Sequence, residues 1–219
     1  LAWWRDAVLY TVFVDRYRRG AGGFLDRPRE DDRAGGDLDG LRAALPHLSA
    51  LGVTVLHLTP LCLSASAHRY DAVDPAAVDP TLGGEAALAA FLQEAHAVGL
   101  RVLLDLALTH VHRDHFAFSD VRARGFASPY APWFRLRRFP FDEGAPDPGY
   151  EHYQKGRWQE PLLELRCDDV VEYLCDVVSG WLRRGADGLR IDAAADLPPS
   201  VLRRLAAAAR AVRPEAVLL

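Results

Sequence analysis

Residues 185–192 read Gly-Ala-Asp-Gly-Leu-Arg-Ile-Asp, a short apolar strand with a charged pair at its end. Side chains alternate along a strand, so Arg190 and Asp192 point to the same face. A guanidinium group beside a carboxylate favours the ionised form of that carboxylate. The stretch therefore predicts a strand that leaves an apolar core and presents an ionised aspartate at its carboxyl end.

Four further apolar runs lie on either side of this strand in the sequence. They are short and rich in Val, Leu and Ile, which is typical of parallel strands buried on both faces. Together with residues 188–191 they predict five strands. The four runs are residues 8–14, 53–58, 102–106 and 216–219.

Helical patterns fill the intervals between the strands, with apolar residues recurring at spacings of three and four. The first pattern follows Asp37, a residue type that caps helices, and ends at Gly52. The patterns cover residues 38–48, 88–95, 171–182 and 202–212. Strands that alternate with helices in this order predict a parallel α/β fold.

The first strand–helix connection separates two α/β folds. A dinucleotide-binding fold places Gly-x-Gly-x-x-Gly there, whereas residues 15–23 read Asp-Arg-Tyr-Arg-Arg-Gly-Ala-Gly-Gly. Polar residues instead follow the strands at their carboxyl ends, where (β/α)8 barrels build their active sites. We therefore predict the amino-terminal part of a (β/α)8 TIM barrel, about strands 1 to 5.

A long segment interrupts the alternation after the third strand. Residues 110–167 contain Gly, Pro and many aromatic side chains, and compact domains rarely keep a structureless loop of that length. We predict an inserted subdomain there, in which some aromatic residues form a small core of their own. Residues 1–109 and 168–219 would then form the partial catalytic barrel.

The composition excludes two classes of partner. The chain has 219 residues, half of them apolar, and a net charge of −4, so it offers no basic surface for nucleic acid. No apolar run reaches the roughly 18 residues that a membrane span requires. We expect a soluble protein that buries a sizeable core.

The three cysteines are odd in number and lack metal-ligand spacing, so we expect reduced thiols at Cys62, Cys167 and Cys175. The sequence leaves the compartment open, with no signal peptide and the cytoplasm favoured. The chain starts at Leu1 and contains no methionine, so we expect it to be part of a longer translated product. The oligomeric state is left open.

Asp192 is the first candidate for catalysis. A purely structural ion pair with Arg190 is the alternative, because ion-pair networks also perturb carboxylates. Asp105 and His110 bracket the end of the third strand, where the aspartate can anchor the arginine and the histidine can donate to a sugar hydroxyl. For His110 taken alone, a satisfied core histidine is the alternative.

Tyr70 and Asp71 follow the second strand within His68-Arg69-Tyr70-Asp71. An exposed aromatic ring beside charged groups suits stacking against the face of a sugar ring. The alternative is that this loop tyrosine only packs against its neighbours.

A metal-dependent hydrolase is a further alternative. His110, His112, Asp114 and His115 include a His-x-His pair after a strand, as in barrel metallohydrolases. Such a site needs more ligands from later strands, and the fourth strand offers only Asp192.

These motifs together resemble the α-amylase family of retaining glycoside hydrolases over nearly the whole chain. Residues 9–17 look like the first strand of the family, and residues 36–54 look like its first helix and second strand. Residues 68–71, 105–110 and 188–192 match three family motifs in the right order. Several ordered motifs are far more specific than one.

The resemblance implies a role for each candidate. Asp192 would be the nucleophile that forms a glycosyl-enzyme, and Arg190 would be its charge partner. Tyr70 would stack on the sugar under attack, and His110 would bond the hydroxyls of that sugar. The expected activity is hydrolysis or transglycosylation of α-glucosidic bonds, with two carboxyl groups about 5 to 5.5 Å apart.

Asp105 and Asp71 would be structural carboxylates near the site, and the substrate would be an α-glucan or a maltooligosaccharide. Residues 68–71 and 128–134 look closer to the neopullulanase, cyclomaltodextrinase and maltogenic amylase branch than to secreted starch amylases. A non-catalytic amylase-like protein, with the barrel serving carbohydrate binding or assembly, is the alternative function.

The chain departs from the family pattern at two positions. Thr109 and Glu164 replace asparagines that the family often carries, and since the first of these often ligates calcium, we expect no calcium site and no cofactor. The family's general acid would lie about two positions beyond Leu219. We therefore expect this chain alone to be inactive and, with unpaired strand edges, to self-associate.

Overall fold

The computed structural model describes residues 2–20, 29, 32–154 and 156–219. The helices and strands are α1 (Ala2–Arg5), β1 (Leu9–Val12), α2 (Val14–Tyr17), α3 (Leu38–Ala50), β2 (Val55–Leu58), β3 (Cys62–Ser64), β4 (Ala72–Val78), α4 (Gly84–Ala97), β5 (Arg101–Ala107), α5 (Phe116–Arg124), α6 (Asp168–Arg183), β6 (Gly188–Asp192), α7 (Pro199–Val212) and β7 (Val217–Leu218). Residues 21–23 of the first connection lie outside the described residues.

Five strands form one parallel sheet in the order β1-β2-β5-β6-β7. Each strand of this sheet pairs with the strand of the same sheet that precedes it in the chain, and helices α3, α4, α6 and α7 lie in the connections. A doubly wound sheet would instead reverse the direction in which strands are added. The predicted fold, the amino-terminal part of a (β/α)8 barrel with about five strands, is confirmed.

The two faces of the sheet carry different apolar layers. On the helix side, buried strand residues such as Leu104 and Leu189 belong to the main core, which includes the apolar faces of the long helices. On the opposite side, Val55 and Leu103 belong to a small separate cluster against which Trp3 and its neighbour in α1 pack. This second cluster fills the amino-terminal end of that face, so polar side chains are left to its carboxyl end.

The four long helices form where the apolar spacing predicts them. At the start of α3 the Asp37 carboxylate accepts a hydrogen bond of 2.7 Å from the Gly40 N–H, which satisfies a free donor of the first turn. After the helix, Gly52 adopts a φ of +80°, a conformation that favours glycine. No helix in the described part of the chain is long and apolar enough to cross a membrane.

The structure differs from the sequence prediction on both sides of β2. The first strand ends at Val12, and Val14 begins a short helix, because a short apolar run does not distinguish a buried strand from a buried helical turn. The antiparallel hairpin β3–β4 was not predicted, since Asp74 and Pro75 interrupt its apolar pattern. The carbonyl of Pro75 accepts a bond of 2.8 Å from the buried Trp181 indole, which anchors the hairpin to α6.

Residues 110–167 lie between β5 and α6 and contain α5 and several short turns. Phe118 makes edge contacts with the rings of Phe134 and Tyr150, at centroid distances of 4.9 and 4.8 Å. These aromatic residues are continuous with the main core. The small core expected for this segment is therefore an extension of the barrel core, and the division into 1–109, 110–167 and 168–219 stays a prediction.

The buried carboxylate of Asp187 joins α4, β5 and the residue after α7 at the amino-terminal edge of the sheet. Asp187 Oδ1 accepts hydrogen bonds of 2.8 and 2.6 Å from Arg101 and Arg213. Its Oδ2 accepts a bond of 2.9 Å from the Val102 N–H and lies 2.8 Å from His96 Nε2. Burial opposes the negative charge, but these partners outweigh it and hold the pKa of Asp187 below its usual value.

We predict that Asp187→Asn lowers the free energy of unfolding of the full-length protein by about 3–5 kcal/mol at neutral pH, because the surrounding cations lose their counter-charge. Since the folded-state pKa of Asp187 lies below the unfolded value, the stabilisation is present above about pH 4 and disappears as the pH falls through the folded-state pKa. Urea unfolding at a series of pH values measures this. The exposed Asp39→Asn is the control, with an expected cost of about 1 kcal/mol or less; equal costs for the two variants would contradict the prediction.

Candidate active site

The parallel register of β5 and β6 brings the predicted charged residues together. Asp105 pairs with Arg190, and Ala107 pairs with Asp192. Every second residue of a strand points to the same face, and Arg190 is paired with Asp105 on the neighbouring strand. Asp105, Arg190 and Asp192 therefore project from the same side of the sheet. This is the side that the long helices do not cover.

Asp105 lies at the centre of this group, with a fully buried side chain. Its Oδ2 accepts hydrogen bonds of 2.9 Å from both the Tyr70 hydroxyl and Arg190 Nη1. His57 Nε2 lies 3.3 Å from the same oxygen. Asp105 therefore links residues of β2, the β3–β4 loop and β6 through a single carboxylate.

Asp192 accepts a hydrogen bond of 2.6 Å from the same Arg190 Nη1. Its side chain is 24% exposed, so it is the accessible carboxylate of the pair while Asp105 is the buried one. Burial opposes the charge of Arg190, but the two carboxylates outweigh it and raise the pKa of Arg190. The guanidinium thus stays charged and compensates the negative charge of Asp192.

Tyr70 is held over this group by its own loop. Arg69, directly before it, has a φ of +62°, and its fully buried guanidinium makes an ion pair of 2.9 Å with Asp79. Burial, followed by the nearby Asp105 carboxylate, raises the pKa of the Tyr70 hydroxyl. The hydroxyl therefore stays protonated and donates, while the half-buried ring remains available for a contact with substrate.

Asp71 holds the loop and lies off the central group. Its Oδ1 accepts hydrogen bonds from the hydroxyls of Ser64 and Ser66. These bonds close the loop on itself, which is the kind of arrangement expected of a structural carboxylate.

His110 is buried between the barrel and the inserted segment. Its Nδ1 lies 2.9 Å from the Thr109 hydroxyl. Burial lowers the pKa of His110, and the nearby Glu160 opposes this only in part. The imidazole is therefore neutral near pH 7 and can form hydrogen bonds with uncharged hydroxyl groups.

The sequence patterns did not indicate two residues of this site, His57 and Tyr153. His57 is the single polar residue in the buried strand β2, and that interruption was the available signal. Tyr153 comes from the inserted segment and stacks on His110 at a centroid distance of 4.2 Å. Burial and the nearby Asp192 raise the pKa of Tyr153. No sequence signal separates it from the other aromatic residues of the segment.

The histidines of the metal alternative serve other purposes. His115 caps α5 and has its Nε2 3.0 Å from the Tyr173 hydroxyl, and burial lowers its pKa to about 4. His112 Nδ1 accepts from the Asp114 N–H. Within the described ranges, no three acidic, histidine or cysteine side chains are grouped as metal ligands.

Thr109 and Glu164 stand at the two positions where the resemblance leads us to expect asparagine. Their surroundings do not fit a calcium site. The Thr109 hydroxyl is turned to His110, and Glu164 is paired with Arg166 and Arg135 at 3.1 and 3.3 Å. The two guanidinium groups beside the Glu164 carboxylate oppose cation binding at it.

Known proteins are similar to this chain in both sequence and fold. The family model described as "Alpha amylase, catalytic domain" matches residues 11–210. Neopullulanase 2 of Thermoactinomyces vulgaris is 33% identical and a cyclomaltodextrinase of Thermoanaerobacter pseudethanolicus is 30% identical, each over 99% of this chain and 39% of the relative. The solved cyclic α-maltosyl-(1→6)-maltose hydrolase of Arthrobacter globiformis superposes with a TM-score of 0.91 at 30% identity, over 97% of this chain and 50% of that one. The chain thus spans half or less of the length of these proteins.

The two aspartates should differ sharply in their effect on stability. We predict that Asp105→Asn lowers the free energy of unfolding by about 3–5 kcal/mol, because it breaks a buried, multiply bonded ion pair. Asp192→Asn should cost about 1 kcal/mol or less, because its partner Arg190 keeps Asp105 and the site is partly exposed. Chemical denaturation of the two variants measures both values, and the reverse order would contradict this assignment.

Proposed function

The chain belongs to the α-amylase family, and we propose that the full-length protein cleaves or transfers α-glucosidic bonds by a retaining mechanism through a glycosyl-enzyme on Asp192. The observation that carries the proposal is the placement of Arg190, bonded at once to the buried Asp105 and to the accessible Asp192. Relatives named neopullulanase and cyclomaltodextrinase agree with the branch expected from the sequence.

In the first step, a carboxylate oxygen of Asp192 attacks the anomeric carbon of the sugar while the glycosidic C–O bond breaks. A general acid donates a proton to the departing oxygen, and the transition state resembles an oxocarbenium ion. In the second step, the deprotonated general acid takes a proton from water or a sugar hydroxyl, whose oxygen attacks the same carbon and displaces the Asp192 carboxylate. Two inversions give net retention of the α configuration.

Asp105 and Arg190 act through Asp192. Because Arg190 is bonded to the fully buried Asp105 carboxylate, its Nη1 is held in position to bond Asp192. A preorganised guanidinium group stabilises the negative charge on the nucleophile without reorganising during the reaction.

The sugar under attack would lie against Tyr70 and His110. The Tyr70 ring offers an apolar face to the sugar, and its hydroxyl is fixed by Asp105. The neutral His110, backed by the ring of Tyr153, would bond a sugar hydroxyl. We propose α-glucans such as maltooligosaccharides as the substrates, with the general acid contributed from beyond Leu219.

We predict that Asp192→Asn in the full-length protein lowers kcat for maltooligosaccharide cleavage by at least about 10³-fold, because the variant has no carboxylate nucleophile. NMR of the first product should show the α anomer. With 5-fluoro-α-D-glucosyl fluoride, mass spectrometry should find the wild-type protein carrying one covalent sugar on the peptide that contains residue 192.

Asp169→Asn, on an exposed turn of α6, is the matched control and should keep wild-type activity. Cleavage that survives in Asp192→Asn would remove the proposed nucleophile. A wild-type protein that binds maltooligosaccharides and cleaves none would favour the alternative, a non-catalytic carbohydrate-binding protein.

A further inference from the structure

His57 is a buried polar residue that has no part in the reaction steps proposed for Asp192. It is the single polar residue of β2, whose four residues are all buried, and it is 9% exposed. In the parallel register it pairs with Thr11 on β1 and with Leu103 on β5. Since Leu103 lies two positions before Asp105, His57 projects from the same face as that carboxylate. A histidine in an otherwise apolar strand is costly unless its ring nitrogens find partners.

The two ring nitrogens of His57 face different neighbours. Nδ1 lies 3.1 Å from the Thr11 hydroxyl. Nε2 is buried and lies 3.3 Å from Asp105 Oδ2, without a well-aligned hydrogen bond to any described residue. His57 therefore joins β1, at the edge of the sheet, to the carboxylate at the centre of the site.

These contacts select one form of the His57 ring. A neutral imidazole carries its single proton on Nδ1 or on Nε2. A proton on Nδ1 would leave the Nε2 lone pair facing the negative Asp105 oxygen, which is repulsive, whereas a proton on Nε2 places an N–H dipole towards that charge. A hydroxyl can donate or accept, so Thr11 can donate to Nδ1. The arrangement favours the Nε2–H tautomer, with Thr11 as the donor that fixes it.

Asp105 and Asp192 compete for the same nitrogen of Arg190. Nη1 donates to Asp105 at 3.1 and 2.9 Å and to Asp192 at 2.6 Å, although a guanidinium Nη1 has only about two hydrogens to share. Every other donor at Asp105 Oδ2 offsets part of the charge of that carboxylate and weakens its pull on Nη1. Tyr70 is one such donor, at 2.9 Å, and His57 lies beside the same oxygen. An N–H group on His57 thus leaves Nη1 available to Asp192.

We propose that His57, fixed by Thr11, is a positioning residue for Asp192. Its Nε2–H offsets the charge of Asp105, so that Arg190 Nη1 remains directed at the nucleophile. This inference rests on the proposed function, in which Asp192 attacks the sugar. His57 acts through Asp105 and Arg190 and not on the sugar.

Two substitutions of His57 in the full-length protein separate this role from packing. His57→Phe keeps a ring and removes both nitrogens, whereas the amide of His57→Gln keeps an N–H donor towards Asp105. We expect His57→Phe to lower kcat for maltotriose, and the rate of covalent labelling by 5-fluoro-α-D-glucosyl fluoride, about fivefold, with KM unchanged within about twofold, as for the loss of one hydrogen bond. His57→Gln should stay within about twofold of the wild-type rates.

His47→Gln, at an exposed position of α3, is the matched control and should keep the wild-type rates. Equal losses in His57→Phe and His57→Gln would assign His57 to packing, and wild-type rates in both would remove it from the reaction. Either outcome would overturn the inference while Asp192 remains the nucleophile.

Proton–nitrogen NMR of the full-length protein, with nitrogen-15 in its histidines, provides a readout that does not depend on cleavage. The ring signals that disappear in His57→Gln belong to His57, and they should show a proton on Nε2 and a bare Nδ1 that accepts a hydrogen bond. In Thr11→Val the Nδ1 signal should lose that bond and kcat should fall about threefold, and Thr11→Ser should restore both. A proton on Nδ1, alone or together with one on Nε2, would overturn the assignment.

The wild-type labelling experiment separates this inference from the function on which it rests. A wild-type protein that neither cleaves maltotriose nor takes up the covalent sugar would overturn the proposed function, and with it any role of His57 in catalysis. A labelled wild-type protein whose His57→Phe variant reacts at the same rate would overturn the role of His57 alone.

Discussion

The buried Asp105 carboxylate is the group on which the arrangement of the site depends. It is completely enclosed, and a buried charge is tolerated only when donors surround it. Tyr70 and Arg190 both donate to it, and His57 lies beside it, so three separate parts of the chain are drawn to one point. The partly exposed Asp192 is positioned by this arrangement through the shared Nη1 of Arg190.

The strand β6 shows how the two ends of a barrel serve different purposes. Asp187, just before its amino-terminal end, is bonded by Arg101, Arg213 and His96, which connect helices to the sheet. Asp192, at the other end, is partly exposed and has a single arginine partner. The first carboxylate is fully compensated and stabilises the fold, whereas the second is left with an accessible oxygen. In (β/α)8 barrels the carboxyl ends of the strands carry the chemistry and the opposite ends carry stability.

Backbone strain lies next to two of the residues that would meet the sugar. Arg69 precedes Tyr70 and Ala193 follows Asp192, and both adopt positive φ although neither is glycine. Such conformations cost of order 1 kcal/mol and persist where the surroundings determine them. For Arg69 the cause is visible, because its buried guanidinium is bonded to Asp79 and Thr81. These contacts fix the loop and, with it, the position of Tyr70.

Local periodicity and capping residues such as Asp37 and Gly52 predicted the alternation of five strands with long helices, and the charged pair on β6 was recognisable along the chain. Tyr70, Asp105 and His110 were also candidates on sequence grounds. Their contact required the packed fold, since hydrogen bonds such as Tyr70–Asp105 join positions 35 residues apart. His57 left one local signal, a polar residue within the buried strand β2. The hairpin and Tyr153 were beyond local pattern, because their burial and contacts arise when distant segments pack, and no spacing along the chain records them.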